Sequence, residues 1–231
     1  MPRFAASVRL VMAAAMLLAA SSSLAQSRQP SFDCRKASTR QEKLVCASDD
    51  LSLLDHHLGG YSAGVRARFP ASEVCIRAEQ RDWLRNVRNR CTTAACLRNA
   101  YLQRLGELDG VMPGASTVKT HDLPAVPTLI SVLTADDSDY LRGGRTRNLK
   151  PRVLRGRLRD RAPDGDQSLV LDTADGRHSL VASEMNADDD TTTAVQASDG
   201  DRIEVRGFAE PGSNDFAQDR CRFVYRVPDP D

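Results

Sequence analysis

Residues 80–108 read QRDWLRNVRNRCTTAACLRNAYLQRLGEL, and the fold of the N-terminal half depends on this stretch. Trp83, the only tryptophan of the chain, lies four residues before Val87, so the two side chains share one face of a predicted helix. A second apolar stripe repeats at intervals of four, four and three residues, through Leu97, Tyr101, Leu105 and Leu108. The stretch therefore predicts two amphipathic helices.

Two cysteines separate these helices. Cys91 and Cys96 have the spacing of a small disulfide loop that joins antiparallel helices. Thr92 or Thr93 is available as the N-cap of the second helix, since a threonine hydroxyl accepts a hydrogen bond from a free N–H of the first turn.

Two further helices precede this hairpin. Thr39-x-x-Glu42 and the overlapping Ser38-x-x-Gln41 are capping boxes and predict a helix from about Thr39 to Ala47. Ser48 opens the next helix, whose apolar stripe is Leu51, Leu54, Leu58, Tyr61 and Val65. Gly59-Gly60 within it marks either a close helix contact or a break. Pro70 ends it, and Ser72 caps the helix of Trp83.

The second half has a different pattern. Residues 111–150 resemble a linker, although 129–133 could be a strand or a helical turn. From Arg152 on the period approaches two, which predicts strands at 152–159, 168–172, 177–182, 201–208 and 220–227. The sequence thus predicts an α+β chain, with a helical bundle over 26–110 and a small β-rich domain over 151–231. For that domain we expect an OB-like barrel or a sandwich.

Six cysteines favour disulfides if the chain is exported. Spacing favours Cys34–Cys46 and Cys91–Cys96. Cys75 and Cys221 remain, either as a bridge between the two halves or as two buried thiols. A helical core of this size is marginal by itself, which gives such cross-links a physical purpose.

The N-terminus has the features of a secretory signal peptide. Arg3 and Arg9 precede a short apolar run over 11–20, and Ser23-Leu24-Ala25 is a cleavage site. The run is too short for a membrane span. We expect cleavage after Ala25 and a periplasmic or secreted protein. The mature chain then carries 30 basic and 31 acidic residues, so its net charge does not indicate nucleic-acid binding.

The residues of the N-terminal half resemble those of a known family. The pattern combines Cys34…Cys46, Leu54-Asp55-x-x-Leu58-x-x-Tyr61 and Gln80-x-x-Trp83-x4-Arg88-x-x-Cys91-x4-Cys96-Leu97-x3-Tyr101-x-x-Arg104. It is similar to the LprI-like lysozyme inhibitor N-terminal domain, over about a third of the chain. The resemblance implies an exported, disulfide-bonded helical domain and inhibition of lysozyme. It does not cover Cys75, Cys221 or the second half.

Three charged residues of this pattern have two interpretations. Asp55 lies on a leucine-rich helix, and Arg88 and Arg104 lie on helices that we expect to pack nearby. A carboxylate near a core needs a partner, so an ion pair with one of these arginines is one interpretation and contact with a partner protein is the other. Trp83 and Tyr101 occupy core positions by periodicity, against the alternative of exposed anchors.

No set of residues indicates catalysis. His56 and His57 are adjacent and point about 100° apart on a helix, whereas His121 and His178 are isolated. The serines lack a nucleophile elbow, and Asp188-Asp189-Asp190 lacks the rest of a calcium loop. We expect no enzyme, metal site or cofactor. Arginines at 155, 157, 159 and 161 line one face of a predicted strand and favour a solvated face over an anion site.

Two functional hypotheses follow. The first is an exported binding protein that blocks the cleft of lysozyme or a related muramidase, with Arg66, Arg68 and Phe69 between helices as contacts. The alternative is a non-enzymatic envelope module, structural or adaptor, that binds another protein or a glycan. The positive charge of residues 26–110 opposes attraction to a cationic lysozyme unless the acidic second half supplies it.

Overall fold

The computed structural model describes residues 29–111, 123–134, 150–159, 170–180, 197–209 and 221–229. The predicted signal peptide lies outside these residues, as do His121, Arg161, Asp188-Asp189-Asp190 and most of the predicted linker.

Four α-helices form the N-terminal half: α1 Arg40–Cys46, α2 Asp49–Arg68, α3 Glu73–Asn86 and α4 Ala94–Asp109. Short 3-10 turns lie at Cys34–Lys36, Pro70–Ser72 and Arg88–Arg90. The helices begin at the predicted positions, although Ser72, at the N-cap of α3, makes no side-chain capping bond. Thr39 and Glu42 form a complete capping box, and Ser48 caps α2. Thr93, the second of the two threonines proposed, caps α4 by accepting the Cys96 N–H at 3.2 Å.

Gly59-Gly60 does not break α2, which runs through both glycines. The close neighbour of Gly59 is the N-terminal segment: a Cβ at Gly59 would lie 2.8 Å from Ser31 Cβ. A Cβ at Gly60 would meet nothing within 4 Å. The first glycine thus lets the segment before α1 lie directly against α2.

The second half contributes one antiparallel sheet of six strands: β1 Thr128–Thr134, β2 Lys150–Arg159, β3 Val170–Thr173, β4 Gly176–Ser179, β5 Arg202–Ala209 and β6 Cys221–Arg226. Their order is β1-β6-β5-β2-β3-β4. The chain is therefore α+β, as predicted. The OB-like barrel is not confirmed, because no hydrogen-bonded ladder joins edge strands β1 and β4 within the described residues.

One face of the sheet completes the core of the helical bundle. Strand β1 lies inside the range 111–150 that resembled a linker, and its Leu129 and Val132 pack into the helical core. A bulge between Leu129 and Ser131 shifts the alternation of β1. Leu129 and Val132, three residues apart, therefore lie on the same face of the strand. Phe223 and Tyr225 of β6 join them. The two halves therefore share a hydrophobic core.

The opposite face of the sheet has its own apolar cluster, which includes Leu158, Leu171, Leu180, Ile203, Val205 and Val224. Arg222 is completely buried on β6 and donates to the Leu180 carbonyl. Both faces of β6 are therefore buried: Cys221, Phe223 and Tyr225 pack on the side of the helices, whereas Arg222 and Val224 are buried on the other side.

Three disulfides cross-link the chain: Cys34–Cys46, Cys91–Cys96 and Cys75–Cys221. Spacing favoured the first two pairs. For Cys75 and Cys221 the sequence left open a bridge or two buried thiols, and the structure has the bridge. It ties α3 to the first residue of β6 across 146 residues of sequence. Both of its cysteines are buried.

Candidate functional site

Most residues of the family-like pattern build the helical core. Leu54, Leu58 and Tyr61 of α2 are buried, as are Leu97 and Tyr101 of α4. Trp83 of α3 packs edge-on against Tyr101, with ring centroids 5.7 Å apart and an interplanar angle of 61°. These residues therefore act through packing, and the aromatic pair belongs to the core.

Asp55 does not form the predicted ion pair with an arginine. It accepts hydrogen bonds from the Ser31 N–H at 2.7 Å, the Ser31 hydroxyl at 2.6 Å and the Tyr101 hydroxyl at 2.7 Å. Burial, followed by the negative charge of Asp55, raises the pKa of Tyr101, so its hydroxyl remains a donor. Three donors satisfy the carboxylate without a cation, and Asp55 holds the N-terminal segment on the bundle.

Arg88 and Glu42 organise the loop that precedes α4. Arg88 is buried in the turn after α3, with its guanidinium 3.9 Å from Glu42. The N–H groups of Thr39 and Ser38 bond to Glu42 and hold its pKa below the ordinary value. Beside it, the Gln41 amide donates to the carbonyls of Asn89 and Cys91, at 3.0 and 2.8 Å. This corner therefore fixes α1 against the disulfide loop.

Arg104 is the centre of a charge network between the helices. Its guanidinium is 3% exposed and pairs with Glu79 of α3 and, at 3.0 Å, with Glu107 on its own helix. Gln80 accepts a further bond at 3.2 Å. Burial lowers the pKa of Arg104, but the charges of its neighbours, Glu79 foremost, outweigh burial and hold it above the ordinary value.

The network continues into the sheet. Arg206 of β5 donates to Glu107 at 2.8 Å and to Glu204 at 2.6 Å, and its guanidinium carbon lies 4.1 Å from the centroid of the Tyr225 ring. Arg155 of β2 reaches the other oxygen of Glu204 at 2.6 Å. Burial raises the pKa of Glu204, but the two arginines outweigh it and the pKa is lowered.

A cleft of about 280 Å³ opens beside this network, between α3 and α4 on one side and β2, β5 and β6 on the other. Its walls combine aromatic, apolar and charged side chains: Glu79, Asp82, Trp83, Val87, Ala100, Gln103, Arg104, Glu107, Arg152, Val153, Arg206, Phe223 and Tyr225. The cleft therefore lies where the shared core meets solvent.

Val87 does not pack as the helical pattern predicts. Helix α3 ends at Asn86, and Val87 is 42% exposed. Val153 of β2 is 47% exposed. Among the described residues these two are the large apolar side chains left to solvent, and both line the cleft.

The arginine stripe of β2 is a solvated, paired face. Arg155 bonds to Glu204, Arg157 donates to the Gly200 carbonyl at 3.0 Å, and Arg159 contacts Asp172 at 3.1 Å. Bonds from Arg159 and then Arg177 lower the pKa of Asp172. Because nearby acceptors already engage these guanidinium groups, the stripe offers little to an anion.

The turn between α2 and α3 is fixed at both ends. Phe69, predicted as a contact, is buried in the helical core, whereas Arg68 is exposed with its guanidinium carbon 5.6 Å from the centroid of the Phe69 ring. Ser72 donates to the Val132 carbonyl of β1 at 3.2 Å. Arg66 and Arg68, predicted between the helices, belong instead to the last turn of α2; Arg68 is exposed, and Arg66, two residues earlier, is half-buried.

Sequence reasoning missed Glu79, Glu107 and Arg206. The spacing of Arg104 and Glu107, three residues apart on a helix, was a usable signal for their pair. No sequence signal links either residue to Arg206, which lies about a hundred positions later.

Within the described ranges, no group of histidine, cysteine, aspartate or glutamate side chains is arranged to hold a metal ion. His57 is buried on α2 and His56 is exposed. None of the helices in the described part of the chain combines the length and the hydrophobicity that a membrane crossing requires. Comparison with protein-family models, with curated proteins and with solved structures found no match to this chain.

Proposed function

We propose that the mature chain is an exported, disulfide-stabilised binding protein that inhibits lysozyme or a related muramidase by blocking its active-site cleft. Two lines of support meet here. The first is the resemblance of residues 34–108 to the LprI-like domain. The second is the three disulfides, which fit an oxidising, extracytoplasmic compartment.

The α2–α3 turn is the observation that carries the proposal. Lysozyme acts through two carboxylates in a cleft, so an inhibitor has to place hydrogen-bond donors there and exclude water. Arg66 and Arg68 supply guanidinium donors, which pair well with carboxylates. Because Phe69 and Ser72 already hold the turn, little conformational entropy is lost when it binds.

The test is lysis of bacterial cell walls by lysozyme, followed as turbidity, with the oxidised mature protein added in increasing amounts. We expect dose-dependent inhibition that the double substitution Arg66→Ala/Arg68→Ala removes. Arg90→Ala, at an exposed arginine in another turn, is the control and should inhibit like the wild type. Undiminished lysis at excess wild-type protein, across several lysozyme types, would end this proposal.

A non-enzymatic envelope adaptor is the second candidate. The observation that favours it is the cleft of mixed chemistry between helices and sheet, which is separate from the α2–α3 turn. Binding to envelope extracts without any effect on lysozyme would support this candidate over the first.

A further inference from the structure

We infer that the cleft between α3, α4 and the sheet docks a lysine or arginine side chain that a partner protein presents among apolar residues. This inference gives the adaptor candidate a class of partner, and it does not depend on lysozyme inhibition, which we place at Arg66 and Arg68. The cleft volume of about 280 Å³ lies just below the range of small-molecule sites, about 300–1,000 Å³, so the cleft suits single side chains.

Two exposed valines form the rim of the cleft. Val87 follows the end of α3 and Val153 lies on β2, and they are the large apolar side chains that the described residues leave to solvent. Single exposed apolar side chains are common on protein surfaces, but these two line the same cleft. A partner that covers both valines gains free energy, because apolar surface leaves water.

The side chains that line the cleft carry an excess of negative charge. Carboxylates outnumber guanidinium groups by three to two: Glu79, Asp82 and Glu107 against Arg104 and Arg206. Arg152 does not add to this charge, because its neighbour Val153 faces the cleft and successive side chains of a strand point to opposite faces. Arg104 is also buried, so the guanidinium that a partner meets is that of Arg206. The cleft therefore attracts a cation and disfavours an anion.

Two of the carboxylates keep an oxygen for a partner. Glu79 and Asp82 are three residues apart on α3, so they are neighbours on one face of the helix. One oxygen of Glu79 pairs with Arg104, and one oxygen of Asp82 accepts from the Asn86 amide at 2.8 Å and lies 3.5 Å from Arg85. The second oxygen of each accepts no hydrogen bond from the described residues. Both side chains are partly exposed, and Asp82 is the more accessible.

A long basic side chain fits the rim and the interior together. Asp82 and Val87 are five residues apart, which is about 8 Å at the helical rise of 1.5 Å per residue. An extended lysine or arginine spans such a distance, with its methylene stem against the valines and its charged head at the carboxylate. An arginine can in addition form two parallel hydrogen bonds with a carboxylate. A purely apolar side chain would leave the carboxylate oxygens without a partner.

Calorimetric titration of the oxidised mature protein with four matched peptides tests the inference. The peptides share the frame acetyl-Gly-Leu-X-Leu-Gly-amide, in which X is lysine, arginine, citrulline or glutamate. Citrulline keeps the size of arginine without its charge. We expect saturable binding of the lysine and arginine peptides, and binding of the other two that is roughly 10-fold weaker or absent. Binding should also weaken between about 0.01 M and 1 M salt, because the Debye length falls from about 30 Å to about 3 Å.

Three variants locate the binding. Asp82→Asn should weaken binding of the arginine peptide roughly 2- to 5-fold, as expected for a partly exposed ion pair. Val153→Arg places a like charge at the rim and should weaken binding at least as much. Glu73→Gln is the matched control, because Glu73 is a carboxylate of similar exposure on the same helix outside the cleft, and it should bind like the wild type. None of the three positions is buried, so thermal unfolding should confirm that each variant folds.

The inference is overturned if the lysine and arginine peptides do not bind, if the citrulline or glutamate peptide binds as tightly, or if Asp82→Asn and Val153→Arg bind unchanged. A wild-type dimer in sedimentation that Val153→Arg dissociates would assign the cleft to a second copy of the chain and would overturn it too. The turbidity assay separates the inference from the proposed function. Val153→Arg should still inhibit lysozyme, and Arg66→Ala/Arg68→Ala should still bind the arginine peptide.

Discussion

Glu107 joins the two halves of the molecule at the level of single side chains. One of its oxygens accepts from Arg104 on the same helix, and the other accepts from Arg206 on the sheet. Arg206 also donates to Glu204, and Glu204 accepts a second bond from Arg155. Acidic and basic residues thus alternate along one network from α3 to β2.

Glu204 gives this network a pH dependence. Its pKa is lowered from 4.5 in the folded state, so its ion pairs stabilise the fold fully above about pH 4.5 and lose their effect as the pH falls through the folded pKa. Glu204→Gln should destabilise the protein at pH 7 by roughly 1–3 kcal/mol. The free energy of unfolding of this variant should then fall less steeply than that of the wild type as the pH drops below about 4.5.

Denaturant unfolding at pH 7 and at low pH checks this expectation. Glu73→Gln is the control, since the pair of Glu73 with Arg77 is exposed and exposed pairs contribute about 1 kcal/mol or less. Parallel pH curves for wild type and Glu204→Gln would contradict the assignment.

The two adjacent threonines before α4 provide a matched comparison. Both are exposed, and only Thr93 accepts the Cys96 N–H. Thr93→Ala should lower the free energy of unfolding by about 1 kcal/mol, whereas Thr92→Ala should change it by about 0.5 kcal/mol or less. Equal effects in urea unfolding would show that the disulfide loop, and not the cap, fixes the start of the helix.

The burial of Asp55 was predictable at this scale, but its partners were not. Periodicity places Asp55 on a leucine-rich face, and an arginine is the general expectation for a carboxylate there. The actual donors are Ser31, in a segment without periodicity, and the hydroxyl of Tyr101, which the apolar pattern counts as a core residue. Hydroxyl and backbone donors are too common in a sequence for spacing to select them.

At the scale of elements, α2 depends on the segment that lies across it. Gly59 leaves room for Ser31, which in turn reaches Asp55 on the same helix. Two glycines in mid-helix are unfavourable, and only the first has a packing reason.

The glycine pair therefore predicts opposite effects for two neighbouring substitutions. Gly60→Ala should raise the free energy of unfolding by about 0.5–1 kcal/mol, because alanine favours the helix and its Cβ meets nothing. Gly59→Ala gains the same propensity but places its Cβ 2.8 Å from Ser31, so we expect a net loss of stability. Thermal unfolding of the two variants is sufficient, and a stabilised Gly59→Ala would show that residues 29–33 are held only loosely.

The elements themselves were largely predictable. Caps and periodicity gave all four helices, and β5 and β6 begin and end within a residue or two of the predicted strands. Strand β1 was left undecided between a strand and a helical turn, since the short run over 129–133 lacks the alternation of a half-buried strand. Its bulge disturbs that alternation, and both of its faces are covered.

At the scale of the whole molecule, the change of sequence pattern after residue 110 suggests two independent domains. The structure shows instead that the helices and the sheet share one hydrophobic core. Leu129, Val132, Phe223 and Tyr225 pack with the helices, and Cys75–Cys221 ties the same surfaces together. The open sheet was not predictable from strand spacing, because strand order is set by pairings far apart in sequence.

The disulfides should differ strongly in their contribution to stability. In the loop-entropy description, removing Cys75–Cys221, 146 residues apart, lowers the free energy of unfolding by about 5 kcal/mol. Removing Cys91–Cys96, five residues apart, lowers it by about 2 kcal/mol. Paired alanine substitutions measured by denaturant unfolding check this order, and a larger loss for the short loop would contradict it.

The Cys75–Cys221 bridge also sets a problem for biogenesis. As the chain emerges from its N-terminus, Cys34 and Cys46 can oxidise at once, but the next two thiols to appear are Cys75 and Cys91. Pairing in order of appearance would thus join Cys75 to Cys91, and Cys96 would have no partner until Cys221 is exported. The native pattern encloses Cys91–Cys96 within the long bridge. Efficient maturation should therefore require a thiol–disulfide isomerase as well as an oxidant.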